Sequence, residues 1–463
     1  MAFISVKIAV ALFVLYFIAV LFLVVFKPWI FPLSFPVIVL YLLIISSFFG
    51  AAIFNVKIGP VSLFPYRMLY IVMVFVFALY FIKEKTFLDW ENNRIKPVLL
   101  FHLFWLFYAC ASLAWVRSLK VGLLDFIFLA IGVSLIFFAV FLLNERKHFL
   151  HIFYIWILMF TFLILIGLWN HFTRHHLPIS RINVAPLYQQ GIPTAVFVNE
   201  NDYASFIAVS FFFLLAFIHR IPSFFLKGIG FIVLVLSLYV LLLTSSRAND
   251  IAIGLGVLVW FLFLTDRLVK KRLIIAGTGA LILFREKALE FFSRFEQGLH
   301  SLNTAGNTSV DIRTNLIKNS LLFFEKSFGF GIGSGNAEFY LAHFSHYPTG
   351  GIINVHNWWV EILVNYGMFV FVGYLLIYIW TIVQLCKLFQ RTLRYEKMVC
   401  EGLIGGMIAF SFSCISPSSQ ISLNYLWLLF AFSFAFIHFQ RKKDHSNELI
   451  RSNRGVNHGQ AFE

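Results

Sequence analysis

Long apolar runs recur from one end of the chain to the other, near 5–26, 32–54, 60–82, 97–115, 119–143, 148–170, 202–219, 225–245, 249–265, 272–284, 357–383, 399–417 and 421–439. Most approach the roughly 20 residues that a helix needs to cross a bilayer. No soluble fold of this length has enough interior to hide them all. Lipid is the solvent they require, and there a helix satisfies its own backbone hydrogen bonds. Composition agrees: 60% of residues are hydrophobic and 12% charged, against about half and a quarter in soluble domains. The reading is an all-α polytopic membrane protein with about 12–13 transmembrane helices and one large extracytoplasmic loop. The run 5–26 is too long for a signal-peptide core and lacks a small-residue cleavage site after it. It reads as an uncleaved first helix.

The net charge is +15. Lys and Arg gather in short connections, at 83–96, 146–147, 220–227, 267–272, 387–397 and 441–443. Their alternation along the chain follows the positive-inside bias and puts them in the cytoplasm. No basic stripe with interleaved aromatics and no zinc module accompanies them, so nucleic acid is excluded as a partner. From the fourth span onward the other connections, 116–118, 171–201, 246–248, 285–356 and 418–420, then face outward. Counting back from a cytoplasmic C-terminus gives 13 spans with the N-terminus outside. The stretch 28–36 and the region of Pro60 and Pro65 can conceal a half-length element, so the count is 12 or 13. The chain divides into a helix bundle over 1–284, the loop 285–356 with helices of its own, helices over 357–439, and a disordered basic cytoplasmic tail over 440–463. Cys110, Cys386, Cys400 and Cys414 lie in or beside apolar runs and read as small buried residues, neither disulfides nor ligands.

Chemistry concentrates on the outward connections. Long loops are usually functional. In the longest, Ser309-Val310-Asp311-Ile312-Arg313 opens a helical pattern with Arg313 in its first turns. Gly329-Phe330-Gly331-Ile332-Gly333-Ser334-Gly335 lacks both the Lys-Ser/Thr of a Walker loop and a strand before it. A tight loop between helices is the favoured reading over a phosphate cradle. His343, His346 and His356 match no zinc spacing, and no metal is expected. Arg247, in Thr244-Ser245-Ser246-Arg247-Ala248-Asn249, is an outward Arg against the trend of the charges. Interfacial charges are functional candidates, with simple snorkelling as the competing reading. His356-Asn357-Trp358-Trp359, with Glu361 after it, opens a long helix. The positive end of a helix suits a diphosphate. Trp358 and Trp359 read as interface anchors.

These residues resemble the signature of the O-antigen ligase and Wzy-type polysaccharide polymerase superfamily. The resemblance rests on His356-Asn357 through Glu361 to Gly367 and Gly373, on Ser246-Arg247 closing a span, and on Arg313 followed by the Gly-rich stretch. Ala111-Ser112-Leu113-Ala114-Trp115 and Phe197-Val198-Asn199-Glu200-Asn201-Asp202 agree in order, although the family usually has Pro where Glu200 stands. Phe64-Pro65-Tyr66-Arg67 looks like Gram-positive polymerases of this group, teichuronic-acid types included. The resemblance implies a GT-C-like helical fold in the bacterial cytoplasmic membrane, with its active site facing outside. It implies a glycosyltransferase of cell-surface polysaccharide biosynthesis that acts on undecaprenyl-diphosphate-linked glycan without metal or other cofactor. His356 would be the general base, Arg247 and Arg313 would hold the diphosphate, and Asn357 and Glu361 would support them. The chemistry is consistent: Arg is a rigid, always-charged fork, and His is the base that works near neutral pH. Partners are the lipid-linked glycan, the bilayer and other polysaccharide-assembly membrane proteins. The favoured reading is a polymerase. The alternatives are a ligase that passes glycan to lipid A core and, from another class, a polysaccharide transporter or flippase. Transporters usually show paired repeats, and none is visible in the sequence.

Overall fold

A computed structural model describes residues 34–53, 55–58, 61–84, 90, 92–283 and 308–459. The apolar run 5–26 and the first part of the long loop lie outside the described residues. The helices are α1 Phe35–Ser47, α2 Pro65–Lys83, α3 Lys96–Ser112, α4 Leu119–Leu142, α5 Arg146–Thr173, α6 Glu200–Arg220, α7 Phe224–Leu243, α8 Arg247–Val259, α9 Arg267–Leu283, α10 Thr308–Lys326, α11 Asn336–His343, α12 Trp358–Arg391, α13 Arg394–Ser413 and α14 Asn424–Gly459. A π turn, Trp260–Leu264, continues α8. Among the described residues, seven helices are long and apolar enough to span a membrane (α8 counted with its π turn), and α1 and α3 are shorter apolar helices. The secondary structure of the described residues is helical apart from one short hairpin, and the protein is a multi-pass membrane protein.

The half-length element expected near the prolines is present. At 13 residues, α1 reaches about 20 Å, short of a bilayer core of about 30 Å. A small antiparallel hairpin, β1 Val56–Ile58 and β2 Val61–Leu63, follows it, with Val56 opposite Leu63. Pro65 then starts α2 from the first turn, where a missing N–H costs nothing. Arg67 stacks on the Phe64 ring, 4.8 Å from its centroid.

Helix α6 is the most enclosed span. In lipid, helices associate by close packing rather than by hydrophobic driving force, so small residues matter at the contacts. A Cβ on Gly405 of α13 would lie 2.6 Å from Phe212 of α6, and one on Gly256 of α8 would lie 2.2 Å from the same ring. Phe212 therefore fills the space that both glycines leave. Between α4 and α14, Gly132 does the same for Trp427.

One end of the bundle gathers the basic connections. Arg146 and Lys443 both reach Glu396, at 2.8 and 4.0 Å. Arg441 donates to the Arg94 carbonyl at 3.1 Å, and Arg220 pairs with Asp266 at 2.8 Å. The basic run at 267–272 forms the first turns of α9 rather than a loop before it. At the same end the fully buried Glu401 of α13 accepts from His219 (2.5 Å), Arg220 (2.6 Å) and Trp260 (2.6 Å). It ties α6, the π turn and α13 together.

Three expectations are corrected. The stretch expected to be a disordered tail is helical to Gly459, because no Gly or Pro interrupts 424–454. Cys110 is exposed on α3 rather than buried. Trp358 and Trp359 are not interface anchors. Trp358 is buried and donates to Tyr374 Oη at 3.0 Å, and Trp359 donates to the Ser411 carbonyl at 3.2 Å.

Candidate functional site

The opposite end of the bundle carries the candidate residues. Asn357 caps α12 by accepting the Val360 N–H at 3.3 Å, which accounts for its type. His356 precedes it with φ of 53°, in the left-handed region that non-glycine residues visit mainly under constraint. The constraint is visible: His356 Nδ1 lies 3.1 Å from the Ser416 carbonyl and 3.1 Å from the Pro417 carbonyl. Two carbonyl acceptors require Nδ1 to carry the hydrogen, so the lone pair of the neutral ring sits on Nε2. Burial pushes the His356 pKa below the ordinary histidine value. The charges of Arg313 and Arg181 add to that, while the two carbonyl bonds oppose it. The result is a neutral imidazole with a free acceptor nitrogen, the form a general base needs.

The turn that holds His356 is a hub. Ser416 and Ser246 both donate to Asn201 Oδ1, at 3.0 and 2.9 Å. Asn199 Nδ2 donates to Ser418 Oγ at 2.6 Å, and Asp202 Oδ1 accepts the Ser418 N–H at 3.2 Å. The polar turn between α13 and α14 was not singled out from the sequence. Its signal was a run of hydroxyl and amide side chains, Ser416-Pro417-Ser418-Ser419-Gln420, between two apolar spans.

His356 lines a cavity of about 570 Å³ together with Arg313, Arg181, Asn199, Glu200 and Asn201. Arg313, in the first turns of α10, is partly buried there. Burial pulls its pKa down, though an arginine so placed stays charged. It has no hydrogen bond or ion pair among the described residues, so its guanidinium is available to a ligand. Arg181 was missed in the sequence, where nothing local marks it. It forms a two-point pair with Glu200, Nε to Oε2 at 2.9 Å and Nη2 to Oε1.

Arg247 stands apart. It begins α8 and is exposed, and it does not line the cavity. Its neighbour Ser246 connects it to the site: instead of capping α8, the Ser246 hydroxyl reaches Asn201 and Ser416. Glu361 also lies elsewhere. It is buried, accepts from Ser419 Oγ at 2.8 Å, and lines a separate cavity of about 200 Å³ with Asp125 and Glu338. Ser418 borders both cavities.

The Gly-rich stretch braces α12. Gly367 breaks that helix with φ 79° and ψ −177°, freeing carbonyls one turn earlier. Ile332 N–H bonds the Val364 carbonyl at 2.9 Å and Gly333 N–H bonds the Asn365 carbonyl at 3.0 Å. A Cβ on Gly331, whose φ is 83°, would meet Gly367 N at 2.6 Å. These N–H groups are occupied, as a tight loop requires and a phosphate cradle would not allow. His343 and His346 are exposed and bond locally, to the Phe339 carbonyl and to the Phe344 carbonyl.

Two comparisons bear on this geometry. The model of a family described as O-antigen ligase matches residues 232–375, which contain Arg247, Arg313, His356 and Glu361. The teichuronic acid biosynthesis protein TuaE of Bacillus subtilis (strain 168) is 36% identical over 413 residues, 87% of this chain and 84% of that protein. The chain belongs to the O-antigen ligase family. As a member it is a membrane enzyme of the glycosyltransferase or ligase type, in polysaccharide biosynthesis. The matched stretch begins within α7 and ends beyond the α12 kink, so the kink and its Gly-rich brace fall within the family's own region. Arg181 and the turn at 416–420 fall outside it.

Proposed function

We propose that this protein is a polymerase that extends a glycan carried on undecaprenyl diphosphate, at the outer face of the bacterial cytoplasmic membrane. The observation that carries the reading is the state of His356: Nδ1–H is committed to two carbonyls, which leaves Nε2 free in a residue that lines the cavity. In the reaction, the acceptor hydroxyl gives its proton to Nε2 as its oxygen bonds the anomeric carbon. The bond from that carbon to the diphosphate breaks, and the electron pair leaves on the diphosphate, with inversion at carbon. Arg313 meets the charge of the leaving group from inside the cavity, and Arg247, exposed at the start of α8 and outside the cavity lining, joins it by closing its side chain on the diphosphate. With guanidinium groups in that role, the transfer needs no metal ion. Asn357 fixes His356 by capping α12, and Glu361 orders the 416–420 turn through Ser419.

The outward orientation is supported by the collection of basic segments at the other end of the bundle. Polymer extension is preferred to ligation because the relative at 36% identity is named for teichuronic acid biosynthesis. The test is purified protein in liposomes, supplied with undecaprenyl-diphosphate-linked oligosaccharide and scored for longer lipid-linked chains. The proposal expects a ladder of products from the native protein and none from His356→Ala at equal protein level. Elongation by the alanine variant at the native rate contradicts it.

A further inference from the structure

We propose that Arg181, held in place by Glu200, is the second diphosphate-gripping guanidinium inside the cavity, beside Arg313. The inference rests on the reading that a lipid diphosphate occupies this cavity. Arg181 belongs to a short 3-10 turn, Arg181–Val184, at the start of which its own N–H bonds the Val198 carbonyl at 2.8 Å. Glu200 is the first residue of α6, where Asn199 caps the helix by accepting the N–H groups of Asn201 and Asp202. A carboxylate there is favoured by the helix dipole. The pair therefore joins two anchored backbones, and the guanidinium is oriented before any ligand arrives, so that less freedom is lost on binding.

The geometry of the pair leaves Arg181 able to bind. Glu200 takes the Nε–H and one Nη2–H. Of the five donors a guanidinium has, those on the remaining edge have no partner among the described residues, and the side chain is 57% exposed while that of Glu200 is 11% exposed. Arg181, Glu200, Arg313 and His356 line the same cavity. Both arginines act on His356 through their charge, so cation and base share one electrostatic space. Other acidic groups nearby are Asp202, which bonds the Ser418 N–H, and Glu361, which faces the second cavity. Arg247, by contrast, lines neither. Glu200, which stands where the resembling motif usually has Pro, is thus the residue that fixes Arg181.

The experiment measures binding of undecaprenyl diphosphate to full-length protein in nanodiscs, together with elongation kinetics across pH. Arg181→Ala is expected to weaken that binding about tenfold or more, the scale of a lost charge-assisted contact. Arg181→Lys keeps the charge but loses the fork, and should still weaken binding measurably. A merely structural pair would not move the pH profile in a charge-specific way. Removing the cation in Arg181→Ala should shift the acid limb of activity to higher pH, because His356 then protonates more easily. Glu200→Gln removes the opposing charge and should shift it to lower pH. Thermal unfolding identifies any variant that fails to fold, and Arg181→Lys then serves in place of the alanine variant. Arg313→Ala is run in parallel. If it weakens binding while folded Arg181 variants bind as the native protein does, this inference is wrong and the cavity reading stands. If neither arginine affects binding of undecaprenyl diphosphate, the cavity reading itself fails.

Discussion

Replacing Glu401 by Ala should be among the most damaging single changes to this bundle. The carboxylate is fully buried in α13 and accepts from His219, Arg220 and the Trp260 indole. Arg220 keeps other partners, Asp266 at 2.8 Å and the Leu264 carbonyl at 3.0 Å. His219 and Trp260 are left with buried donors and no acceptor at that position. Each such orphan costs about 1–3 kcal/mol, and with the loss of one of the two carboxylate partners of Arg220 the total is about 3–5 kcal/mol, the usual cost of removing one member of a buried ion pair. The control is Arg146→Ala, which breaks the pair with Glu396 at a side chain that is 50% exposed. An exposed ion pair of this kind is worth about 0–1 kcal/mol. Reversible denaturation in mixed micelles, followed by tryptophan fluorescence, measures both. The hydrogen bonds at the site end are untouched by either change, so elongation per folded molecule should fall far less than stability does. If Glu401→Ala is no less stable than Arg146→Ala, the cluster does not hold α6, α8 and α13 together and this argument is wrong.

Other expectations follow from particular contacts. Gly331→Ala forces a Cβ to within 2.6 Å of the Gly367 nitrogen. It should cost about 2–4 kcal/mol from left-handed strain and the displaced hydrogen bonds, measured by the same titration, and a native-like stability would mean that the brace is loose. Arg313→Lys should lose most elongation activity at unchanged protein level, since Lys cannot reproduce a two-point grip. Arg247→Lys should also lose most activity if its exposed side chain closes on the diphosphate, and normal polymer yield would reduce Arg247 to snorkelling. A single cysteine at position 347 in a cysteine-free background should react with an impermeant thiol reagent on intact cells, and protection until lysis would reverse the orientation. Elongation should persist below the ordinary histidine pKa of about 6.5 and fall as pH drops through the lowered pKa of His356, because the base works only when unprotonated.

Much of the fold is legible in the sequence because each span carries its signal locally. A run of apolar residues is one helix in lipid wherever it packs, so every run from 32–54 onward contains a helix. The charge of the connections is likewise local, and the basic segments do collect at one end. His356 and Arg313 sit near recognisable motifs and share a cavity. What escaped the sequence depends on pairings far apart in the chain. The 357–383 run reads as one straight helix, yet Gly367 breaks it because the Gly-rich segment supplies partners for the freed carbonyls. Nothing near Arg181 announces Glu200, and nothing near His356 announces that residues 416 and 417 fix its tautomer. Trp358 resembled an interface anchor because hydropathy cannot see Tyr374 waiting in the core.

Whether His356 is a base or simply a cation is decided by one replacement, His356→Arg, assayed for chain elongation in liposomes beside donor binding. Arg keeps a positive charge at the mouth of α12 and cannot accept a proton. A positioned base contributes about 10²–10⁴-fold, so elongation is expected to fall by that factor while undecaprenyl-diphosphate-linked donor still binds. Elongation by the Arg variant at a rate near that of the native protein would contradict the account.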